Sequence, residues 1–125
     1  MCDILIVEDN DNLRDSIQEV LELYDYSVVA KSDGLEAWEF IKAAPPTLII
    51  TDFSMPKLDG KQLIDLVQKE IPSPPPIILM SAYYRVDWPS LGAMTFIEKP
   101  FHLKTLIQHV EKVFESQLHL HQLTI

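Results

Sequence analysis

The sequence predicts a doubly wound α/β domain in which helices cover both faces of a five-stranded parallel sheet. Short apolar runs alternate with segments of helical spacing along the 125 residues, and this alternation is the pattern of successive strand–helix units. Right-handed crossovers leave few topologies for five such units, of which the strand order 2-1-3-4-5 is the common one. Polar residues end several of the runs, as expected where a parallel sheet binds ligands at the carboxyl ends of its strands.

Five runs of four or five residues are the predicted strands, since short apolar runs between turn residues are typical of buried parallel strands. In chain order they are ILIV (4–7), SVVA (27–30), TLIIT (47–51), IILM (77–80) and MTFI (94–97). No internal repeat or linker divides them, so the pattern indicates one domain.

Apolar residues at helical spacing predict the helices between these strands. The first helix follows the capping residues Asn10 to Asn12 and runs to Tyr24. The second follows Asp33-Gly34 and carries Leu35 at the start of its apolar spacing. The remaining boundaries are Pro45-Pro46 after the second helix, Gly60 and PSPPP (72–76) around the third, and Leu103 to Phe114 in the last.

Composition and charge exclude several classes of protein. Lys plus Arg number 10 against 19 Asp plus Glu, and the net charge of −9 argues against direct binding to nucleic acid. No apolar run approaches the roughly 18 residues of a membrane helix, and the start, MCDILIVED, lacks the basic segment of a secretory signal. Cys2 is the single cysteine, so we expect no internal disulfide and a cytoplasmic location. Proteins and cations are the expected partners.

Acidic side chains end two strands that the predicted topology makes neighbours. Glu8 and Asp9 follow the first strand, Asp52 follows the third, and the switch point of the sheet lies between these strands. Three carboxylates so close repel one another, and Mg²⁺, which favours carboxylates, waters and phosphate oxygens, removes that conflict. Ser81 and Lys99, after the fourth and fifth strands, add a hydroxyl donor and an ammonium. The set suits a phosphoryl group, whose transfer depends on positioning and charge neutralisation.

Six short motifs at these strand ends occur together in one known family. They are Glu8-Asp9, Asp52 at the end of LIITD, Met55-Pro56, Asp59-Gly60, Ser81-Ala82 and Lys99-Pro100. With them the chain resembles the receiver domains of two-component response regulators, the CheY-like family, over residues 3–117. The resemblance implies a flavodoxin-like fold, with a receiver domain at 1–117 and a C-terminal tail at 118–125.

The resemblance also implies roles for the acidic residues. Asp52 is expected to accept a phosphoryl group from the phosphohistidine of a histidine kinase or a histidine phosphotransfer protein. Asp9 and Asp52 are expected to bind Mg²⁺ directly, with Glu8 assisting through water. The backbone carbonyl of Ser54 is a further expected ligand, and Lys99 is expected to pair with the phosphoryl oxygens.

Other positions of the motif concern contacts, switching and decay of the phosphoryl group. Ser81 is expected to donate its hydroxyl to the phosphoryl group, and Ala82 to keep the pocket open. Phe96 matches the aromatic that changes rotamer as the hydroxyl of Ser81 is drawn inward. Ser54 and Tyr83 are expected to flank the path of the water that hydrolyses an aspartyl phosphate, with bulky Tyr83 slowing that attack.

The chain departs from the family after Ser81. Lys99 follows it by only 18 positions, about one helical turn fewer than usual, and Pro89 cannot donate within a helix interior. The fourth helix is therefore expected to be short, shifted or irregular. Since helix 4, strand 5 and helix 5 form the usual output surface of the family, that surface is expected to differ here.

Other functions share parts of this pattern. A receiver-shaped protein-binding module that works without phosphorylation is the main alternative. A phosphatase of the haloacid dehalogenase kind also attacks with a strand-end Asp, but it needs a second acidic residue where this chain has Ser54. A flavodoxin needs a Ser/Thr/Gly-rich loop after the first strand, which this chain lacks. We expect a signalling domain that assists its own phosphorylation and dephosphorylation, not an enzyme.

The resemblance also implies protein partners. A downstream protein target or effector domain is expected to read the signal, with dimerisation on phosphorylation as a further expectation and no membrane association. A stand-alone receiver and a piece of a larger regulator or hybrid kinase fit the sequence equally well.

The tail either lengthens the last helix or binds a partner. Solvated side chains, not metal ligands, are expected at His102, His109, His119 and His121.

Overall fold

The computed structural model describes residues 2–82 and 87–124, which contain a five-stranded parallel sheet. The strands are β1 (Ile4–Val7), β2 (Val28–Lys31), β3 (Leu48–Asp52), β4 (Ile77–Ser81) and β5 (Thr95–Glu98). They lie in the order β2-β1-β3-β4-β5, and all neighbours pair in parallel. The predicted fold class and strand order are both confirmed.

Helices cover both faces of this sheet. Within the described residues they are α1 (Asp11–Leu23), α2 (Gly34–Ala43), α3 (Gly60–Glu70), α4 (Trp88–Leu91) and α5 (Leu103–Thr124). α1 and α5 pack on one face, where Ile17 and Val110 join the first core cluster, and α2 and α3 pack on the other, where Ile41 and Ile64 join the second. The sheet is therefore buried on both faces, which is why its strands read as continuous apolar runs.

Four strands end one residue later than the sequence predicts. At these ends, polar residues continue the backbone pairing of the sheet: Asp52 pairs with Met80, and Ser81 pairs with Glu98. An apolar run marks only the part of a strand whose side chains are apolar, whereas pairing depends on the backbone and continues through polar residues. Asp52 and Ser81 are consequently the last residues of their strands.

Helical spacing runs one residue past the end of α1, and in α2 it includes a residue that does not face the core. α1 ends at Leu23, and Tyr24 is its exposed C-cap, followed by Asp25 with a left-handed φ of 68°. Leu35, in the first turn of α2, is exposed as well. Neither Tyr24 nor Leu35 belongs to a core cluster, because the first and last turns of a helix need not face the sheet.

The fourth helix is a single turn, as the short spacing and the proline predict. α4 consists of four residues, with Pro89 in its first turn, where a missing backbone N–H is tolerated. Gly92 ends it with a left-handed φ of 96°. Trp88 and Leu91 pack against the second core cluster. Residues 83–86, which precede this turn, lie outside the described part of the chain.

The last helix is long. α5 runs from Leu103 to Thr124, so residues 118–124 continue it, which is one of the two forms that the sequence leaves open for the tail. Among the described residues, no helix has both the length and the apolar character that a membrane span requires.

Gly34, at the start of α2, touches the backbone of the β3–α3 loop (residues 53–59). A Cβ atom at Gly34 would overlap the carbonyl oxygen of Leu58 and lie 2.7 Å from its carbonyl carbon. Backbone atoms cannot move aside as the end of a flexible side chain can. The close approach therefore requires glycine at this position.

Replacement of Gly34 by alanine tests this contact. Gly34→Ala is expected to lower the free energy of unfolding by about 1–3 kcal/mol, because the added methyl group overpacks the contact. Urea unfolding followed by circular dichroism measures the loss. Ser16→Ala, at an exposed position of α1, is the control and is expected to stay within about 0.5 kcal/mol of the wild type. Equal stability of the two variants would contradict the close approach.

Candidate functional site

Three carboxylates meet at the carboxyl edge of the sheet, between β1 and β3. The parallel register pairs Val7 with Thr51, so Glu8 and Asp52 follow side by side on neighbouring strands. One carboxylate oxygen from each of Glu8, Asp9 and Asp52 lies within 4.8 Å of the other two. In the part of the chain that the structure describes, no other group of three or more His, Cys, Asp or Glu side chains gathers in this way. These three are the acidic residues that the sequence predicts as a metal site.

The turn between β1 and α1 holds Glu8 in place. Its Oε2 accepts a hydrogen bond from the Asn10 backbone N–H at 3.1 Å, and its carbonyl oxygen accepts one from Arg14 Nη1 at 3.0 Å. Asn10 is also the N-cap of α1 and accepts from the Leu13 N–H. Glu8 is fully buried, whereas Asp9 is exposed. Solvent thus reaches Asp9, while protein groups surround Glu8.

Lys99 supplies the positive charge of the site. It follows β5, its backbone N–H donates to the Ser81 carbonyl at 2.8 Å, and a cis peptide bond joins it to Pro100. Its Nζ lies 2.6 Å from Glu8 Oε1 and 3.2 Å from Asp52 Oδ1. The ammonium therefore bridges two carboxylates that come from different strands.

Burial and charge shift the pKa values in this group. Burial raises the pKa of the Asp52 carboxyl above its usual value; the charge of Lys99 opposes this rise, and that of Asp9 adds to it. Burial also raises the pKa of Glu8, although its hydrogen bond with Lys99 acts in the opposite direction. Burial by itself lowers the pKa of Lys99, but the bond with Glu8 and the charge of Asp52 outweigh it and raise that pKa. A further cation near these carboxylates would stabilise their ionised forms.

Asp52 is oriented by two donors. It is the last residue of β3 and is almost fully buried. Its Oδ1 accepts a hydrogen bond from the Phe53 backbone N–H at 2.9 Å and lies against Lys99 Nζ. Both contacts favour the ionised carboxylate. An oriented carboxylate of this kind has the chemistry of an oxygen nucleophile.

The β3–α3 loop folds back over the end of β3. The Gly60 N–H donates to the Phe53 carbonyl at 2.9 Å, and a Cβ at Gly60 would lie 2.5 Å from the Asp52 carbonyl oxygen. Asp59 accepts a hydrogen bond at the N-terminus of α3 as its cap. Ser54 is exposed in this loop, two residues after Asp52. The close approach to the strand explains why glycine follows Asp59.

The other predicted residues lie on β4 and β5. Ser81 ends β4, is 1% exposed, and is one position beyond the residue that pairs with Asp52. Ala82, next to it, is exposed. Phe96 is half-buried in β5 and packs against the second core cluster, on the face covered by α2 and α3. Tyr83, predicted to influence hydrolysis, lies outside the described residues.

A cavity of about 410 Å³ lies beside Lys99. Asn10, Leu13, Ala82, Lys99, Pro100 and Phe101 line it. Sequence reasoning assigned no role at the site to Phe101 or to Arg14, which holds the Glu8 carbonyl. Both lie within a few positions of a strand-end motif, and that proximity is the signal that could have identified them.

Neither His102 nor His109 belongs to the acidic group. His102 is exposed and His109 is half-buried. Burial, with a contribution from the charge of Lys112, lowers the pKa of His109. The side chains of His119 and His121 are outside the described part of the structure.

Comparison with known proteins finds a family model and relatives that match most of the chain. The family model for the response regulator receiver domain matches residues 4–111. The probable transcriptional regulator ycf27 of Porphyridium aerugineum is 34% identical over 114 residues, which are 88% of this chain and 47% of that protein. Histidine kinase P4 of Formosa agariphila is 31% identical over 122 residues, which are 94% of this chain and 9% of the kinase. The chain thus spans less than half the length of these two relatives.

A solved structure agrees in fold. The response regulator protein TrrA of Thermotoga maritima, in complex with Mg²⁺ and BeF, matches with a TM-score of 0.80 at 30% identity. The match covers 90% of this chain and 99% of that one. The family model covers most of the chain, and the carboxylates and lysine of the site are on the strand ends that it includes. The chain therefore belongs to the response regulator receiver domain family of two-component signalling.

Proposed function

We propose that this signalling domain accepts a phosphoryl group on Asp52, with Mg²⁺ as cofactor. The observation that carries the proposal is the contact of 3.2 Å between Lys99 Nζ and Asp52 Oδ1 beside the group of three carboxylates. Phosphoryl transfer depends on positioning and charge neutralisation, and it uses a nucleophile, a cation site and an ammonium held together. Family membership supports the same function.

Asp9, Asp52 and the backbone carbonyl of Ser54 hold Mg²⁺ in this proposal, and Glu8 assists. Carboxylates within 4.8 Å of one another fit a hard divalent cation that takes oxygen ligands. Asp9 is exposed and open to an ion from solvent, whereas Lys99 already engages Glu8 at 2.6 Å, which supports an indirect role for Glu8. When bound, Mg²⁺ neutralises charge on the phosphoryl oxygens. The complex of TrrA with Mg²⁺ and BeF supports the same metal.

The proposed reaction transfers the phosphoryl group from a phosphohistidine. An oxygen of the Asp52 carboxylate attacks phosphorus, the O–P bond forms as the P–N bond breaks, and the bonding electron pair stays on the donor imidazole. Lys99 pairs with one phosphoryl oxygen, Ser81 donates its hydroxyl to another, and Ala82 leaves room for the group. The donor is a histidine kinase or a histidine phosphotransfer protein, whose histidine reaches Asp52 past the open cavity beside Lys99.

Phosphorylation changes the partner-binding surface through Ser81 and Phe96 in this proposal. Movement of the buried Ser81 hydroxyl toward the phosphoryl group leaves space for the half-buried ring of Phe96. A downstream protein target or effector domain, or a second copy in a dimer, reads the altered surface. In this proposal, residues 1–117 are the receiver domain and residues 118–125 are its tail. The domain acts in the cytoplasm and assists its own phosphorylation and dephosphorylation.

Incubation with Mg²⁺ and acetyl phosphate tests the acceptor. We expect the protein to gain the mass of one phosphoryl group, because Asp52 carries the nucleophilic oxygen. Intact-mass spectrometry measures the gain, which Asp52→Asn abolishes. Asp65→Asn, at an exposed position of α3, is the control and keeps the gain. An unchanged mass of the wild type, under conditions that label another receiver domain, would favour a binding module that works without phosphorylation.

Magnesium alone tests the metal site. Mg²⁺ is expected to raise the melting temperature by relieving repulsion among the carboxylates, with about 2.7 kcal/mol gained at 100 times its Kd. Differential scanning calorimetry measures the shift. Asp9→Asn is expected to remove most of it, while Asp15→Asn, an exposed acid on α1, keeps it. A full Mg²⁺ response in Asp9→Asn would show that the ion binds elsewhere.

The lifetime of the phosphoryl group tests the predicted roles of Ser54 and Tyr83. Ser54 is small and has no amide or carboxylate to orient a water, so a comparatively long-lived aspartyl phosphate is expected. Tyr83→Ala is expected to hasten its loss several-fold by opening the path of the water. The decay of phosphorylated wild type and variant is followed in parallel by gel shift. Equal half-lives would remove Tyr83 from the mechanism.

A further inference from the structure

Lys57 lies inside the β3–α3 loop with its backbone in the left-handed region, at a φ of 69°. Glycine and asparagine adopt this conformation more easily than lysine does, so the backbone of Lys57 carries a conformational cost. In the described part of the chain, Asp25 is the one other non-glycine residue with a positive φ. The presence of lysine here indicates that its side chain makes a contact that offsets the cost.

The side chain of Lys57 reaches the start of α2. Its Nζ lies 3.6 Å from Oδ2 of Asp33, which is the N-cap of α2. Oδ1 of the same carboxylate accepts a hydrogen bond from the Glu36 N–H at 2.8 Å. The side chain of Asp33 is 8% exposed, against 64% for Lys57. One nearly buried carboxylate thus holds the helix start with one oxygen and the loop with the other.

A steric contact lies beside this ion pair. Leu58, next to Lys57, presses its carbonyl on Gly34, next to Asp33, where no side chain would fit. Two adjacent contacts, one electrostatic and one between backbones, therefore join the loop to α2. Because the lysine side chain is largely exposed, its removal is expected to cost Asp33 a modest electrostatic stabilisation.

The same loop carries part of the functional site. It begins directly after Asp52 and contains Ser54, whose carbonyl is the proposed metal ligand. We propose that Lys57 is a positioning residue: its ion pair with Asp33 holds the loop where the Ser54 carbonyl can meet a divalent cation. This inference rests on the proposed function for the cation, and it adds a residue and a helix terminus that lie outside the group of three carboxylates.

Conservative substitutions remove the ion pair and keep the local backbone preferences. Lys57→Asn removes the ammonium but retains a residue that tolerates a left-handed φ. Asp33→Asn removes the charge but retains a favourable N-cap. Lys57→Arg keeps a cation and serves as the rescue variant. Lys42→Gln is the matched control, because it breaks an exposed ion pair of 3.1 Å with Glu39 on the same helix.

Calorimetric titration with MgCl₂ measures the effect on the site. Lys57→Asn and Asp33→Asn are each expected to raise the Kd for Mg²⁺ roughly two- to fivefold, the range of a partly exposed ion pair. The double variant is expected to match the weaker single variant, since both changes remove one interaction. Lys57→Arg and Lys42→Gln keep the wild-type Kd. A lower melting temperature with an unchanged Kd in both asparagine variants would reduce the ion pair to a structural role and overturn the inference.

Amide hydrogen exchange of the metal-free protein separates this inference from the proposed function. Faster exchange in residues 53–60 is expected in Lys57→Asn and Asp33→Asn, but not in Lys42→Gln, because only the first two release the loop. If the wild type binds Mg²⁺, and the variants have the same Kd for Mg²⁺ and the same rate of amide hydrogen exchange as the wild type, the inference fails and the proposed function stands. If the wild type neither binds Mg²⁺ nor takes a phosphoryl group, the proposed function fails, and exchange decides whether the ion pair holds the loop.

Discussion

The ammonium of Lys99 lies between carboxylates from β1 and β3, and the functional edge of the sheet depends on that bridge. Glu8 is fully buried, so its charge requires a partner inside the protein. Lys99 provides the partner at 2.6 Å and extends it to Asp52 at 3.2 Å. Lys99 follows β5, whereas Glu8 follows β1 and Asp52 ends β3, and β4 lies between β3 and β5 in the sheet. The charges are therefore neutralised only when all these strands are in register, and the chemistry of the edge cannot exist apart from the fold.

Much of this arrangement could be predicted because parallel strands put their carboxyl ends at one edge. Glu8, Asp9 and Asp52 each stand beside an apolar run, and the topology then brings them together. The strand ends themselves were less predictable, since an apolar run stops at the last apolar side chain whereas the backbone pairing of the strand continues. Asp52 and Ser81 still pair through their backbones although their side chains are polar. A similar limit applies to helix ends, where apolar residues continue at helical spacing although their side chains no longer pack on the core.

Contacts between distant side chains could not be predicted from the sequence. Glu8 and Lys99 are separated by 91 positions, and their ion pair depends on side-chain directions that no local pattern encodes. Glu8 and Asp9 are neighbours in the chain, but Lys99 pairs with the buried Glu8, whereas Asp9 faces solvent. The contact between Lys57 and Asp33 is hidden for a different reason. It depends on a left-handed backbone at a lysine, and intrinsic preferences would place glycine or asparagine there.

The length of α5 has a mechanical consequence. Among the side chains that the structure describes, those of α5 that pack on the first core cluster reach Phe114, and the helix itself runs about ten residues further, to Thr124. At a rise of about 1.5 Å per residue, this part is about 15 Å long, close to the height of a five-residue strand. The packed turns fix the direction of the helix axis, so the position of Thr124 depends on how those turns sit on the sheet. A small rotation of its packed turns on the sheet therefore becomes a larger displacement at its far end.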